Sequence, residues 1–219
     1  MNDEFTWSTY TDEHYYPQQL QIIRENHCDL FISPSGITYN GDEIEFNDNL
    51  HPNSKELYYI VHKLHPQSIL ECGCGAGISL KNLEIIVPNT EIYGVDISEK
   101  QIQMSKWFTK VSNNISNRMS VMDITKQIPY RKFDFVFSNA VIMHLIQDRA
   151  VNALNNMKNA SNKYVYLSEN KTPNRNRFIS LVEDIFKDWQ ITYLNKFIKE
   201  DNPFVGILLK KTEHGIIYL

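Results

Sequence analysis

The sequence predicts a doubly wound α/β fold, and two observations carry this prediction. The apolar stretch Ser68–Glu71 ends on an acid and runs into glycines at positions 73, 75 and 77, after which a helical segment begins. A second apolar stretch, Glu91–Asp96, also ends on an acid and precedes another helical segment. Strand, glycine-rich loop, helix, strand, acid and helix form the first half of such a fold. With 219 residues, the chain has the length of one domain with a substantial core.

The remaining elements follow from capping and turn signals. Asn53-Ser54-Lys55-Glu56 and Ser98-Glu99-Lys100-Gln101 each resemble a capping box, which predicts helices that begin there. Pro88 ends the helix that follows the glycines, because proline cannot continue a helix. The predicted helices cover 53–64, 78–87, 98–111 and 172–187, with a further one beginning at Val141, and the later predicted strands cover 119–122, 133–140, 163–169, 189–197 and 204–211.

Residues 1–50 differ in composition from the rest and are predicted to form an N-terminal lid or cap segment. Short apolar runs at 30–32 and 44–46 flank turn signals and predict a hairpin. Aromatic side chains crowd the polar stretch before it, and His14, Tyr15 and Tyr16 are the best candidates for substrate contacts. The alternative, in which these aromatic residues only attach the segment to the core, stays open.

Bulk composition argues against several classes of protein. The net charge of −4 and the pI near 6.0 provide no broad basic face for nucleic acid. No run approaches the roughly 20 apolar residues of a membrane span, and the acidic first residues do not resemble a signal peptide. Three cysteines form no disulfide framework, which favours a reducing, cytoplasmic location. Cys28 and the scattered histidines add no metal-ligand spacing to Cys72 and Cys74, so we expect no metal.

The glycine loop, residues 73–77, does not fit the common nucleotide loops. A dinucleotide fingerprint requires glycine where the chain has Ile78 or Leu80. A phosphate loop requires a Gly-Lys-Ser/Thr ending, which is absent from the sequence. The remaining pattern, an acid followed by glycines at every second position, resembles the first motif of the class I S-adenosylmethionine-dependent methyltransferases of the small-molecule type. The resemblance covers about Asn53 to Lys211.

The resemblance implies a Rossmann-like three-layer sandwich over residues 51–219, with a seven-stranded mixed sheet whose last strand is antiparallel. It also implies S-adenosyl-L-methionine as the cofactor and S-adenosyl-L-homocysteine as the product. The acid of the first motif suits the ammonium and sulfonium groups of this ligand. The residues expected to contact the cofactor are Glu71, Gly73, Cys74, Gly75, Gly77, Asp96, Ile97, Asp123, Ile124, Asn139 and Ala140.

Two acids among these have alternative interpretations. Asp96 ends the second strand, where it can accept hydrogen bonds from both ribose hydroxyls. It could instead cap the next helix, although Ser98 is the better cap. The resemblance implies that Asp123 meets the adenine amino group and that the N–H of Ile124 reaches a ring nitrogen. Asp123 before Thr125 could equally form an ordinary turn.

Further candidates concern the methyl acceptor. His144 follows the fourth strand, and an imidazole there could take the acceptor's proton as a general base, or could simply pin the loop. Glu169 ends the fifth strand on the ligand-binding edge. Arg175 and Arg177 could bind an anionic acceptor, or could be solvated residues of a helix's first turn.

The sequence therefore predicts methyl transfer to an oxygen or nitrogen of a small molecule. The possible anion-binding arginines and the aromatic segment suggest a sugar or nucleotide-linked intermediate of surface-polysaccharide assembly. We expect a monomer or homodimer with no nucleic-acid or membrane partner. A non-catalytic subunit that binds the cofactor and a nicotinamide-dependent oxidoreductase on the same fold are the alternatives.

Overall fold

The computed structural model describes residues 37–40, 43–46, 48, 50–107, 109–170, 177–198 and 200–212. The strands are β1 Ile37–Asn40, β2 Glu43–Phe46, β3 Ser68–Cys72, β4 Glu91–Asp96, β5 Met119–Val121, β6 Phe133–Asn139, β7 Ser161–Asn170, β8 Trp189–Leu194 and β9 Phe204–Lys211. The helices are α1 Pro52–Leu64, α2 Ile78–Ile86, α3 Glu99–Trp107, α4 Asn113–Ser116, α5 Gln147–Ala160 and α6 Phe178–Ile185, with a 3₁₀ helix at Ile142–His144. Within these ranges, no helix has the length and apolar character needed to cross a membrane.

Seven strands form one mixed sheet in the order β5-β4-β3-β6-β7-β9-β8. β3, β4, β5, β6 and β7 are parallel to one another, whereas β9 is antiparallel to both β7 and β8. This confirms the predicted Rossmann-like sheet with an antiparallel last strand. The chain runs outward from β3 to β5 and then returns to the other side of β3 as β6. The strand order therefore reverses beside β3, where ligands of doubly wound folds bind.

Helices cover both faces of the sheet. Successive residues of its central strands point to opposite sides, so each strand contributes side chains to both buried layers. Leu70 of β3 and Val136 of β6 belong to one buried cluster, which includes α5 and α6 residues. Ile69 and Phe135 belong to a second buried cluster, which includes residues of α1 and α2. Both faces of β6 are thus covered, and six of its seven residues are buried. This three-layer packing fixes the carboxyl ends of β3, β4 and β6, which carry the candidate site.

The hairpin predicted in the first fifty residues forms, but with a different first strand. Glu43–Phe46 pairs antiparallel with Ile37–Asn40, whereas the predicted partner at 30–32 lies outside the described residues. Ile44 is buried in the same cluster as residues of α1, and the ring of Phe46 lies 6.1 Å from that of Tyr58. The second strand of the hairpin therefore shares the core of the α/β domain.

The predicted capping box at the start of α1 is wrong. Its N-cap is His51, whose Nδ1 accepts the N–H of Asn53 at 3.3 Å. Glu56 does not turn back to cap the helix, since its carboxylate accepts the N–H groups of Phe197 at 2.7 Å and Ile198 at 3.3 Å. Glu56 is 1% exposed and joins α1 to the segment between β8 and β9.

Several other boundaries also differ from the prediction. α3 ends at Trp107, four residues before the predicted end, and the separate α4 follows it. The helix expected from Val141 is divided into the short 3₁₀ helix and α5. β8 ends at Leu194 rather than at 197. The described part of the last helix begins at Phe178, and Thr172 lies outside the described residues.

Candidate active site

The glycine loop connects β3 to α2 at the point where the strand order reverses. Gly73, Gly75 and Gly77 have φ values of 80°, 51° and 80°, a region that residues with a Cβ rarely adopt. The N–H groups of Gly73 and Cys74 both donate to the carbonyl of Val95, at 2.8 Å and 3.0 Å. The loop is therefore held against the end of β4 by its own main chain.

The three glycines differ in their surroundings. A Cβ on Gly73 would lie 2.9 Å from Val141 Cγ1 and closer still to its other methyl group, and one on Gly77 would lie 3.1 Å from Val111 Cγ1. At Gly75 the nearest atom to an added Cβ would be Gln101 Oε1 at 3.5 Å. Gly73 and Gly77 are thus packed against protein side chains, and the open face of the loop lies at Gly75.

Asp96, at the carboxyl end of β4, is directed toward this open face. Its Oδ2 accepts the N–H of Gly75 and its Oδ1 accepts the N–H of Ser98, both at 2.8 Å. Ser98 Oγ in turn accepts the N–H of Gln101 at 3.3 Å, so Ser98 caps α3 as the sequence predicts. Burial raises the pKa of Asp96, although the two backbone hydrogen bonds oppose the rise. Each carboxylate oxygen retains a lone pair for a hydroxyl donor.

Glu71 provides a second carboxyl group beside the loop. It is 3% exposed, and its Oε2 has no hydrogen-bond partner among the described residues. Burial raises the pKa of Glu71 well above its ordinary value, a hydrogen bond with Ser79 opposes the rise, and the charge of Asp96 adds to it. Because a buried carboxylate oxygen without a partner is costly, it is suited to a cationic group of a ligand.

Asp123 follows β5 and forms a local turn. Its Oδ1 accepts the N–H of Thr125 at 3.0 Å and the hydroxyl of the same residue at 2.7 Å. Its Oδ2 lies 3.2 Å from Arg149 Nη2. Burial alone would raise the pKa of Asp123, but the Thr125 hydrogen bonds and the Arg149 charge lower it overall. This arrangement is the turn that the sequence left as the alternative, and the adenine contacts of Asp123 and the buried Ile124 stay predictions.

The β6 loop, residues 140–144, leads from β6 to the end of the 3₁₀ helix. Ala140 has a φ of 57°, which is uncommon for a residue with a side chain, and its N–H donates to the carbonyl of Ser168 at 2.8 Å. Asn139 precedes it at the end of β6. Strained backbone of this kind is often found at functional sites.

Glu169 accepts hydrogen bonds from the β6 loop, and its predicted contact with the acceptor stays a prediction. The side chain is 0% exposed. Its Oε1 accepts the hydroxyl of Ser138 at 2.6 Å and the N–H of Val141 at 3.2 Å, and its Oε2 accepts the N–H of Met143 at 3.1 Å. Both oxygens are therefore engaged by the protein.

The remaining candidates lie at different places around this edge of the sheet. His144 is exposed at the end of the 3₁₀ helix, and its backbone N–H donates to the carbonyl of Val141 at 3.1 Å. Ile97 is 45% exposed just beyond Asp96, whereas Cys74 is 6% exposed, so only the main chain of Cys74 faces the loop opening. Arg177 is exposed at the N-cap of α6. His14, Tyr15, Tyr16 and Arg175 lie outside the described residues.

Sequence reasoning missed a buried polar network behind Glu71. Tyr58 of α1 and Asn82 of α2 are 1% and 0% exposed, and Asn82 Nδ2 donates to Tyr58 Oη at 2.9 Å. Burial raises the pKa of the Tyr58 hydroxyl, and Asn82, Ser79 and Ser54 oppose the rise. No sequence pattern marks these residues, because their contacts depend on the packing of α1 against α2. No cluster of three or more His, Cys, Asp or Glu side chains that could hold a metal occurs in the described ranges.

The doubly wound sheet, the glycine loop at its switch point and the acid at the end of β4 define the class I methyltransferase fold. Residues 70–163 match the family model described as a methyltransferase domain. The resemblance to class I S-adenosylmethionine-dependent methyltransferases that the sequence motifs predict is thereby confirmed.

Three proteins illustrate the similarity. Malonyl-[acyl-carrier protein] O-methyltransferase 1 of Ilyobacter polytropus is 30% identical over 150 residues, which are 67% of this chain and 53% of the relative. The chain spans about half the length of the curated relatives it matches. Magnesium protoporphyrin IX methyltransferase from Synechocystis, solved with bound S-adenosylmethionine, has a TM-score of 0.64 and 13% identity, with 94% of this chain and 95% of that one covered. An S-adenosylmethionine-dependent methyltransferase from Clostridium acetobutylicum has a TM-score of 0.63 and 12% identity, with 91% and 99% covered. At these identities the two structures show the fold alone.

Proposed function

We propose that this protein transfers a methyl group from S-adenosylmethionine to an oxygen or nitrogen of a small-molecule acceptor. One observation carries the proposal: the open main chain at Gly75 donates to Asp96 of β4, and Glu71 of β3 holds a buried carboxyl oxygen without a partner among the described residues. A loop that binds a pyrophosphate would be placed among hydrogen-bond donors and positive charge. Two carboxyl groups on the neighbouring strands β3 and β4 instead suit a ligand with ribose hydroxyls and positive charges.

The chain's residues have separable roles in this proposal. Asp96 accepts the ribose hydroxyls while it holds Gly75, and Glu71 accepts the ammonium group through its unpartnered Oε2. The bound cofactor supplies an activated methyl group on a positively charged sulfur. The main task of the protein is then to align the acceptor for in-line attack, which falls to Asn139 and Ala140 at the end of β6. His144, exposed on the same loop, takes the acceptor's proton.

The proposed class of acceptor is supported by fewer residues than the proposed cofactor. The curated relative from Ilyobacter is named as an O-methyltransferase, which supports oxygen as the acceptor atom. Arg177, exposed where α6 begins after the ligand-binding end of β7, supports an anionic acceptor such as a nucleotide-linked sugar of surface-polysaccharide assembly. We retain the lid predicted for residues 1–50 as part of this proposal.

Calorimetric titration with S-adenosylhomocysteine and, separately, NADH tests the cofactor. We expect binding of S-adenosylhomocysteine and none of NADH, because the loop lacks the dinucleotide glycine spacing. Preferential binding of NADH would refute the proposal in favour of an oxidoreductase.

Transfer of radiolabelled methyl from S-adenosylmethionine to a fractionated small-molecule extract then tests the reaction. Cofactor binding without transfer to any fraction would indicate a non-catalytic subunit.

The extract assay also tests the role of His144. We expect His144→Ala to lower turnover strongly while the dissociation constant of S-adenosylhomocysteine stays within about twofold, since the side chain acts on the acceptor. Undiminished turnover would leave His144 as a residue that only shapes the β6 loop.

A further inference from the structure

We propose that Arg149 and Asn156 of helix α5 are positioning residues for the cofactor's adenine, because they fix the turn that carries Asp123 and Ile124. This turn, the β5 loop, comprises residues 122–126. The inference rests on the proposed function and on the adenine contacts predicted for Asp123 and Ile124. It adds two side chains that belong to none of the sequence motifs.

Arg149 attaches α5 to the side chains of the β5 loop. Its Nη2 donates to Asp123 Oδ2 at 3.2 Å and to Thr125 Oγ1 at 3.4 Å, and its Nε donates to the same hydroxyl at 3.4 Å. Thr125 in turn donates its hydroxyl to Asp123 Oδ1 at 2.7 Å. The three side chains therefore form a closed ring of hydrogen bonds, which fixes the direction of both Asp123 oxygens.

The ring leaves one acceptor position on Asp123 for a ligand. Oδ1 accepts two hydrogen bonds, from the N–H and the hydroxyl of Thr125. Oδ2 accepts one from Arg149, and a carboxylate oxygen has two lone pairs. Lys126 Nζ also lies 3.5 Å from Oδ2, but its side chain is 79% exposed and can give way to a ligand. The local turn is thus compatible with a contact to the adenine amino group.

Asn156 holds the main chain of the same loop. Its Nδ2 donates to the carbonyl of Ile124 at 2.8 Å. Asn156 lies two turns after Arg149, so both side chains project from the same face of α5. The side chain of Ile124 is buried in the same cluster as Ala153 of α5. The residue whose N–H is predicted to reach the adenine ring is therefore fixed through its carbonyl and through its side chain.

The position of Arg149 within α5 supports a role outside the helix. α5 spans Gln147–Ala160, so Arg149 lies in its first turn. The helix dipole opposes a positive charge at this end, because it favours negative charge there. An uncharged residue in place of Arg149 should therefore leave α5 intact, and its effect on binding can be assigned to the β5 loop.

A matched pair of ligands tests whether α5 positions the adenine contacts. S-Inosylhomocysteine differs from S-adenosylhomocysteine only in its base, which has a carbonyl in place of the amino group and a proton on the neighbouring ring nitrogen. Both predicted hydrogen bonds are reversed in this analogue, so a rigid β5 loop should reject it.

We would measure both dissociation constants by calorimetry for the wild type, Arg149→Met, Arg149→Lys and Asn156→Ala. Asn155→Ala is the matched control, since Asn155 is exposed and its Nδ2 bonds the carbonyl of Val151 in its own helix. Alanine is the better helix former, so neither asparagine substitution should weaken α5.

We expect the wild type to prefer S-adenosylhomocysteine by about a hundredfold, the effect of two hydrogen bonds. Arg149→Met and Asn156→Ala should each lower this preference about tenfold, because a loop that is no longer fixed loses contacts with adenine and tolerates the analogue. Arg149→Lys keeps the charge without the planar fork and should restore only part of the preference. Asn155→Ala should leave it unchanged.

An unchanged preference in Arg149→Met or Asn156→Ala would remove that residue from this role, and equal weakening of both ligands would overturn the inference. A wild type that bound both ligands equally would refute the adenine contacts and the inference with them. If the wild type bound neither ligand, the proposed function itself would fail.

Discussion

The carboxylate of Asp96 accepts the backbone N–H of Gly75 at 2.8 Å, across 21 positions of sequence. Asp96 therefore stabilises the glycine loop in addition to presenting a carboxylate at the end of β4. The loop and Asp96 are one unit, because neither can move without loss of this hydrogen bond. Substitutions at either position should consequently affect both affinity and local structure.

Asp96→Asn and Asp96→Ala remove these contributions to different extents. Asparagine removes the charge and keeps an acceptor for only one of the N–H groups of Gly75 and Ser98, whereas alanine removes both acceptors. We expect calorimetry to show about tenfold weaker S-adenosylhomocysteine binding for Asp96→Asn and a greater loss for Asp96→Ala. Asp184→Asn, an exposed position on α6, is the control. An unchanged dissociation constant in folded Asp96→Ala would remove Asp96 from the site.

The glycine loop offers a comparison between two substitutions of the same kind. Gly73→Ala and Gly75→Ala both place a Cβ at positive φ, which costs about 1 kcal/mol. Only Gly73→Ala also drives the Cβ into Val141, and such overpacking costs roughly 1–3 kcal/mol more. Urea denaturation should therefore show a larger loss of unfolding free energy for Gly73→Ala. Equal losses would mean that the β6 loop moves away at little cost.

The order of the strands and the acidic ends of β3 and β4 could be predicted from the sequence, because both depend on local patterns and on general topology rules. The role of Glu56 could not, since its partner Phe197 lies 141 positions away. The burial of Glu169 could not be predicted for a similar reason. Its position at the end of β7 was evident, but burial under the β6 loop depends on the pairing of β6 with β7 and on the path of the chain beyond it.

Glu169 is expected to stabilise the β6 loop through its charge. In Glu169→Gln one carboxylate oxygen becomes an NH₂ group, which cannot accept the N–H of Val141 or Met143. We expect a loss of about 1–3 kcal/mol in unfolding free energy, and an increase in hydrogen exchange at residues 141–143 that is greater than the increase in the strands of the sheet. Ser138→Ala, which removes only one donor, should have a smaller effect. Unchanged exchange at 141–143 in Glu169→Gln would contradict this role.

Glu71 should reduce the stability of the ligand-free protein while it contributes affinity. Its pKa is raised in the folded state, chiefly by burial. As the pH rises above the ordinary carboxyl pKa, the unfolded chain releases a proton that the folded chain still holds. The folded state binds more protons in this window, so the contribution of Glu71 to stability falls with rising pH until the raised pKa is passed.

Glu71→Gln removes this dependence, because the amide does not titrate. At pH 8 the ligand-free variant should unfold at a higher temperature than the wild type. At pH 5 the difference should be small, since the wild-type carboxyl group is then largely protonated.

The same variant should bind S-adenosylhomocysteine at least tenfold more weakly at pH 8, because an amide does not attract an ammonium group. Thermal unfolding at both pH values, with and without S-adenosylhomocysteine, measures both effects, and Glu183→Gln on the surface of α6 provides the control. If the ligand-free variant were less stable than the wild type at pH 8, the Glu71 carboxylate would have hydrogen-bond partners within the protein. It would then not be an unpartnered group that is available to a ligand.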